Sequence, residues 1–361
     1  MTLEHVEEVS GNSRPTVILK STGAIGDAVI ASAVQHALHQ TGYNVGLISA
    51  GFTLPLWHGL EGVDNSLLFD SKQDPPQFPQ EKVVDISNYL AQFPHSVQFP
   101  KSSEMKDVWA HLCKWMGLIV ENERNIPLDV SRDNVRVVLT PEEAEWGRNQ
   151  IYDLSKANGN KPVVIISPNS GTKNRSLPSD TVDTVVKGLE GKAISYLLEP
   201  VPEMYSSVLA GRIGNKDLRK VAALLWAANA YIGADSGPLH IAAGSLQGTP
   251  EDLSYRLEVN HNLSKIVVAL GSSNPDVIAY KGNIIVFAHG GCPVAPCGAH
   301  GYYPVEKYGE HFKRTFVPTA EPVKDKSGCI YNNYPNEQTA LCMQSIPAGA
   351  IIANVRGALG K

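Results

Sequence analysis

Short apolar runs recur along this chain, each followed by the three- and four-residue spacing of an amphipathic helix, a rhythm that predicts parallel strands joined by helices. Val17-Ile18-Leu19-Lys20 is the first run. A turn at Ser21-Thr22-Gly23-Ala24-Ile25-Gly26-Asp27 follows it, and Ala31, Val34, Ala37 and Leu38 then mark a helical face. Strands are expected next at 43–49, 66–69 and 83–87, then a helix over 104–118 carried by Met105, Val108, Trp109, Leu112, Trp115 and Met116. Residues 128–139 read as a connecting strand, and Pro141-Glu142-Glu143 opens a helix to about Ala157. Asn158-Gly159-Asn160-Lys161-Pro162 is turn chemistry and sets the expected domain boundary: 1–158, then 159–342. The second half repeats the rhythm, with strands at 163–167 and 194–198 and a helix over 179–189. The tail, 343–361, reads as a helix expected to cross back to the first domain.

Two strand-turn-helix junctions carry candidate chemistry. In the first, Gly23 and Gly26 let the backbone bend and approach a ligand, while Asp27 faces whatever the turn holds. On the residues alone, Asp27 is equally a favourable charge at a helix N-terminus. In the second, Gly233, Asp235, Ser236 and Gly237 form a small-residue turn before Pro238, which suits a first helical position. Backbone N–H groups and the helix dipole then converge on one spot fit for phosphate. The plain alternative is a capped helix with Asp235 or Ser236 as N-cap. Asp85 and Ser87 close a strand at the end where open α/β sheets bind ligands.

The run from Gly233 to Ala243 resembles the diphosphate-binding signature Gly-x-Asp-Ser-Gly-Pro-x-His-x-Ala-Ala of family 9 glycosyltransferases, the heptosyltransferase-like enzymes. Gly26-Asp27 resembles the Gly-Asp that closes the family's first turn. The resemblance implies a GT-B fold, two Rossmann-like domains facing an interdomain cleft, and Asp27 as catalytic base. It implies donor binding by Asp235, Ser236, Gly237, Pro238 and His240, with Arg175 at the family's basic position and Lys173 in reserve. Glu203, or Glu199, would meet the nucleotide's ribose or base, and Gly23, Gly26, Asp85 and Ser87 would face the acceptor. The activity implied is inverting transfer of a sugar from an ADP- or UDP-linked donor to a saccharide or protein hydroxyl, with no catalytic metal required. Two alternatives stand beside it: a GT-B enzyme acting on a hydroxymethylated base in phage DNA, and a non-catalytic nucleotide-sugar-binding module. The chain departs from the family at Leu177, where tryptophan is usual, and in a polar insertion over 251–264. Gly271-Ser272-Ser273-Asn274-Pro275 stands for the family's Gly-Pro-Thr-Asp-Pro.

Composition narrows this modestly. At 361 residues the chain exceeds what one core usually serves, and 43% hydrophobic with 19% charged residues describes an ordinary globular protein. A formal charge of -5 provides no global basic field for nucleic acid. The polar start and the lack of any run near the ~18 apolar residues of a membrane span predict a cytoplasmic protein, and an oligomer is compatible with the reading. Of five cysteines, Cys292, Cys297, Cys329 and Cys342 crowd the segment 290–342. Four thiols there can close around a structural Fe or Zn, with His300 or His311 as substitutes, or stay as separate thiols. The resemblance adds weight to the metal, because autotransporter heptosyltransferases hold iron in such a site.

Overall fold

The protein is described by a computed structural model over residues 14–73, 78, 82–87, 112–171, 175–198, 217–288 and 341–360, with the side chain of Tyr255 excepted. Two parallel sheets organise it. β1 (Thr16–Ser21), β2 (Asn44–Ser49), β3 (Val63–Asp70) and β4 (Val83–Asp85) form the first, in the order β3-β2-β1-β4. β5 (Val163–Ser167), β6 (Ile194–Leu197), β7 (Ala230–Gly233), β8 (Ile266–Leu270) and β9 (Ile284–Phe287) form the second, in the order β6-β5-β7-β8-β9. Strands such as β5 and β8 are buried at every position, which is why they read as unbroken apolar runs. Strand order reverses beside β1 in one sheet and beside β5 in the other. At those points the loops leave in opposite directions and open a crevice at the strands' C-terminal ends.

The helices are α1 (Ile25–Gln40), α2 (Leu112–Arg124), α3 (Pro141–Ala157), α4 (Ser179–Leu189), α5 (Leu218–Ala227), α6 (Gly237–Gly248), α7 (Glu251–Arg256), α8 (Pro275–Ile278), α9 (Leu341–Gln344) and α10 (Ala348–Leu359). Local chemistry fixes α3 most clearly. Thr140 Oγ1 accepts the Glu143 N–H at 3.2 Å, Glu143 Oε2 accepts the Thr140 N–H at 2.9 Å, and Pro141 occupies the first turn. No helix among the described residues is long and apolar enough to cross a membrane.

One core runs through both halves. Val29 and Val34 of α1 share it with Val137, and with Leu239, Ile241 and Leu246 of α6, while a second cluster lies between the other face of the second sheet and α4 and α10. Helix α1 packs on α6, and α3 on α5. The Arg219 guanidinium grips the Glu143 carboxylate, Nε to Oε1 2.8 Å, and Arg132 donates to the Ala279 carbonyl at 2.9 Å.

Three expectations change. Residues 128–139 form no strand among the described residues: a 3-10 turn at Arg132–Asn134 interrupts them, the Val137 N–H bonds the Gly244 carbonyl of α6 at 2.9 Å, and the Arg136 N–H bonds Ser32 Oγ of α1 at 2.7 Å. Among the described residues the C-terminal helix packs within the second half: α10 lies on α4, where Ile352 fills the space beside Gly188 and Arg356 donates to the Gly188 carbonyl at 2.6 Å. Helix α2 runs on to Arg124, anchored by a 2.6 Å bond from its guanidinium to the Val83 carbonyl; the residues before Leu112 in the expected helix lie outside the described ones.

The insertion resolves into α7 and a turn at Leu263–Lys265, whose Leu253, Leu257, Val259 and Leu263 pack on the shared core. Ser254 Oγ meets His261 Nδ1 at 2.8 Å and ties its two ends together. Lys265, at its close, is buried and caps the end of α5, with Nζ 2.5 Å from the Trp226 carbonyl and 3.0 Å from that of Ala228.

Candidate active site

The first turn is fixed from β4. Lys20 and Asp85 are register partners at the ends of β1 and β4, and Nζ meets Oδ2 at 2.7 Å. Ser87 Oγ accepts the Thr22 N–H at 2.9 Å and the Thr22 hydroxyl at 3.0 Å, and donates to the Lys20 carbonyl at 3.2 Å. Asp85 and Ser87 thus build the turn that launches α1. The Asp85 carboxyl is held below its ordinary pKa; burial opposes this, and bonds from Lys20 and Ser87 outweigh it.

Asp27 sits in the first turn of α1 and its Oδ2 accepts the Ala24 N–H at 2.8 Å, a charge-assisted bond at the positive end of the helix. Neither Gly23 nor Gly26 has a positive φ. Their smallness serves close approach instead: a Cβ on Gly23 would stand 2.4 Å from Asp27 Oδ2, and one on Gly26 2.8 Å from His240 Cδ2.

The second turn is held from three sides. Buried Asp235 receives Arg175 Nη1 at 3.3 Å and Ser273 Oγ at 2.5 Å on its Oδ2, while its carbonyl accepts the Ser170 hydroxyl at 2.7 Å. Its carboxylate therefore anchors the turn rather than capping α6. Ser236 holds the N-cap position but makes no capping bond with its own side chain, and Pro238 follows in the first helical turn. Arg175 is brought to this turn, buried and paired with Asp235, at the end of β5 where the sheet order reverses. Leu177, at the expected tryptophan position, faces the second core.

The two turns meet. A Cβ on Gly237 would stand 2.9 Å from Ile25 Cβ, so the N-termini of α1 and α6 abut, with buried His240 between them. His240 Nδ1 is 2.7 Å from Tyr280 Oη, and Nε2 is 4.0 Å from Asp235 Oδ1. Burial holds the imidazole below its ordinary pKa, against the pull of Asp235 and Asp27 and with help from Arg175. Burial also keeps the Tyr280 hydroxyl protonated well above its usual range.

Of the other expected site residues, Lys173, Glu199, Glu203, Cys292, Cys297, Cys329, His300 and His311 lie outside the described residues. Cys342 is buried beside Gly271, whose Cβ would stand 2.9 Å from its sulfur. No cluster of metal-binding side chains occurs among the described residues. Ser170, Ser273 and Tyr280 were not foreseen as site residues. The first two lay in loops already marked by their glycines and prolines; Tyr280 carried no sequence signal.

No protein-family profile and no curated protein matches the chain in sequence. Solved structures do match in fold. The ADP-heptose LPS heptosyltransferase II of E. coli superposes with a TM-score of 0.55 at 12% identity, over 95% of this chain and 98% of that one. A family 9 glycosyl transferase from Veillonella parvula gives 0.55 at 13% identity, over 97% and 98%. TibC of E. coli, an iron-containing dodecameric heptosyltransferase solved with ADP-D-β-D-heptose, gives 0.54 at 14% identity, over 98% and 76%. The chain has a heptosyltransferase-like GT-B fold. In a GT-B frame, the first turn belongs to the N-terminal Rossmann-like half and the second to the C-terminal half. The abutting ends of α1 and α6 then lie where the C-terminal edges of both sheets converge.

Proposed function

We propose that this protein is an inverting glycosyltransferase that moves a sugar from a nucleoside-diphosphate donor to an acceptor hydroxyl. The observation that carries the reading is the approach of the Asp27 turn to the Asp235–Gly237 turn within a GT-B fold. In the reaction, the acceptor oxygen attacks the anomeric carbon from the face opposite the diphosphate. Its proton passes to the Asp27 carboxylate, and the bond from the anomeric carbon to the β-phosphate oxygen breaks with its electron pair leaving on the nucleoside diphosphate. The N–H groups opening α6, at Gly237 and beyond Pro238, and the Arg175 guanidinium stabilise that growing charge without a divalent metal. Asp235, Ser273 and Ser170 hold the turn and Arg175 in place for this task. Lys173 and Glu203 complete the donor site in this reading.

ADP-linked heptose is the first donor to test, because heptosyltransferase II is named for it and TibC was solved in complex with ADP-D-β-D-heptose. The acceptor rim favours a saccharide or protein hydroxyl over a DNA base. Among the described residues Lys20 there is neutralised by Asp85, and Asp27 and Asp70 add negative charge at the same C-terminal edge of the sheet, which is a poor surface for a phosphodiester chain. We assign the activity to the cytoplasm. Cys342 with Cys292, Cys297 and Cys329 would hold a structural iron or zinc that ties down the segment 290–342; metal quantification on the purified chain and on Cys342→Ser tests that assignment. The activity is tested by nucleotide release from a panel of ADP- and UDP-sugars, followed by mass spectrometry of lipopolysaccharide-core and protein acceptors. Absence of release from every donor, with the protein folded, overturns it.

A further inference from the structure

The His240 side chain touches both turns, and a binding role on the donor alone leaves its surroundings unexplained. The ring is buried, and its edge lies against Gly26 so closely that a Cβ there would stand 2.8 Å from Cδ2 and 3.3 Å from Nε2. Its Nδ1 is 2.7 Å from Tyr280 Oη, and the two rings meet edge to face with centroids 5.8 Å apart. We propose that His240 is a positioning residue, held by Tyr280 as the Nε2–H tautomer, whose imidazole sets the first turn of α1, and with it Asp27, against the Asp235 turn.

The tautomer follows from the partners. The Tyr280 hydroxyl can donate to Nδ1 or accept from it, so the surroundings of the other ring nitrogen decide between the two, and they place the ring proton on Nε2. Nε2 faces Asp235 Oδ1 at 4.0 Å. In the opposite tautomer a nitrogen lone pair would face that carboxylate in a site closed to water, which is unfavourable. The charged groups facing the ring are Asp235 from the turn, Asp27 from α1 and Arg175 from the loop after β5. Tyr280 approaches from beyond α8, with Cys113 of α2 behind it. The two carboxylates favour a cation; burial and Arg175 oppose it and leave the imidazole neutral. A neutral, oriented ring holds Asp27 near the donor turn without neutralising the carboxylate by a fixed charge.

The inference rests on the glycosyltransferase reading for the identity of Asp27 as base, so its test has one arm that needs no turnover. In the full chain labelled with 15N-histidine, His240 is expected to show the Nε2–H tautomer at neutral pH. It should stay neutral where an exposed histidine has titrated. Tyr280→Phe, which removes one oxygen and no packing, should shift that tautomer or raise the pH at which the ring takes a proton. A charged or Nδ1–H ring in the wild type, or a ring unmoved by Tyr280→Phe, overturns the proposal. In the activity arm, His240→Gln, which retains an N–H near the Nε2 position, should keep turnover within about tenfold, while His240→Leu should lose about a hundredfold or more with donor KM nearly unchanged. Equal losses in Gln and Leu variants of equal stability also overturn it. Failure of the wild type to use any donor would count against the proposed function, while the NMR arm would still decide the role of His240.

Discussion

The imidazole of His240 lies against Gly26, with room for no side chain at position 26: a Cβ there would stand 2.8 Å from His240 Cδ2. Because His240 is buried and tied to Tyr280, the ring cannot swing aside cheaply. Gly26→Ala should therefore push the start of α1 away from α6, costing about 1–3 kcal/mol as an overpacked contact. Denaturant midpoints would measure the loss, and donor turnover should fall further than stability alone accounts for. A variant as stable and active as the parent would mean that the halves yield at this contact.

Asp27→Asn tests the base directly. The amide oxygen can still accept the Ala24 N–H that the carboxylate accepts at 2.8 Å, so the helix start survives with a loss of no more than about 1 kcal/mol from the missing charge at the helix end. Proton abstraction does not survive. Nucleotide release in the presence of acceptor should drop by about 10²–10⁴-fold with donor affinity retained. Unchanged turnover would remove Asp27 from the chemistry.

Much of this architecture was legible because local and tertiary signals agree. β5 is buried on both faces and reads as one apolar run; α3 announces itself through Thr140, Pro141 and Glu143. Residues 135–139 show where such reading stops. Val135, Val137 and Leu139 alternate with more exposed neighbours, a true period of two, yet what covers them is α1 and α6 and not a neighbouring strand. Periodicity reports burial and is silent about the partner. The same limit applies to α10, whose apolar face had no way to say that α4 would receive it. Gly26 was legible as a required glycine but for the wrong cause: its φ is ordinary, and the constraint comes from His240, far away in sequence. Tyr280 is an isolated aromatic whose role exists only once the halves have met.

The Arg175–Asp235 pair is almost wholly buried, with side chains 9% and 4% exposed, so removing the Asp235 carboxylate takes a counter-charge from a buried guanidinium. Asp235→Ala should destabilise the protein by about 3–5 kcal/mol. Replacing both, Arg175→Met with Asp235→Leu, should recover most of that loss, because two charges no longer need desolvation. The recovered protein should still bind ADP at least about tenfold more weakly, since a charge-assisted phosphate contact is gone. Calorimetric titration of ADP into both variants separates the fold from the site. Full ADP affinity in the double variant would remove Arg175 from the phosphate contact.

Lys265 gives the protein an unusual alkaline behaviour. Burial lowers its pKa from 10.5 to about 7, while burial raises the Cys113 thiol from 9.0 to about 12. Between pH 7 and 9 the unfolded chain holds a proton on this lysine that the folded chain has released, so stability should rise with pH, by at most about 1.4 kcal/mol per unit. Lysine's contribution is complete above its unfolded value and is lost as pH falls through the folded one. Cys113 has the opposite sign. Its contribution is intact below 9.0 and is lost as pH climbs toward 12, so the curve should flatten above pH 9 and then turn down. Chemical denaturation across pH 6.5 to 10.5 would trace the rise and the flattening. In Lys265→Met the rise between pH 7 and 9 should vanish, and in Cys113→Ala the flattening above pH 9 should give way to a continued rise. A parent curve that stays flat between pH 7 and 9 would mean that Lys265 stays charged in the fold, its ammonium stabilised by the carbonyls of Trp226 and Ala228.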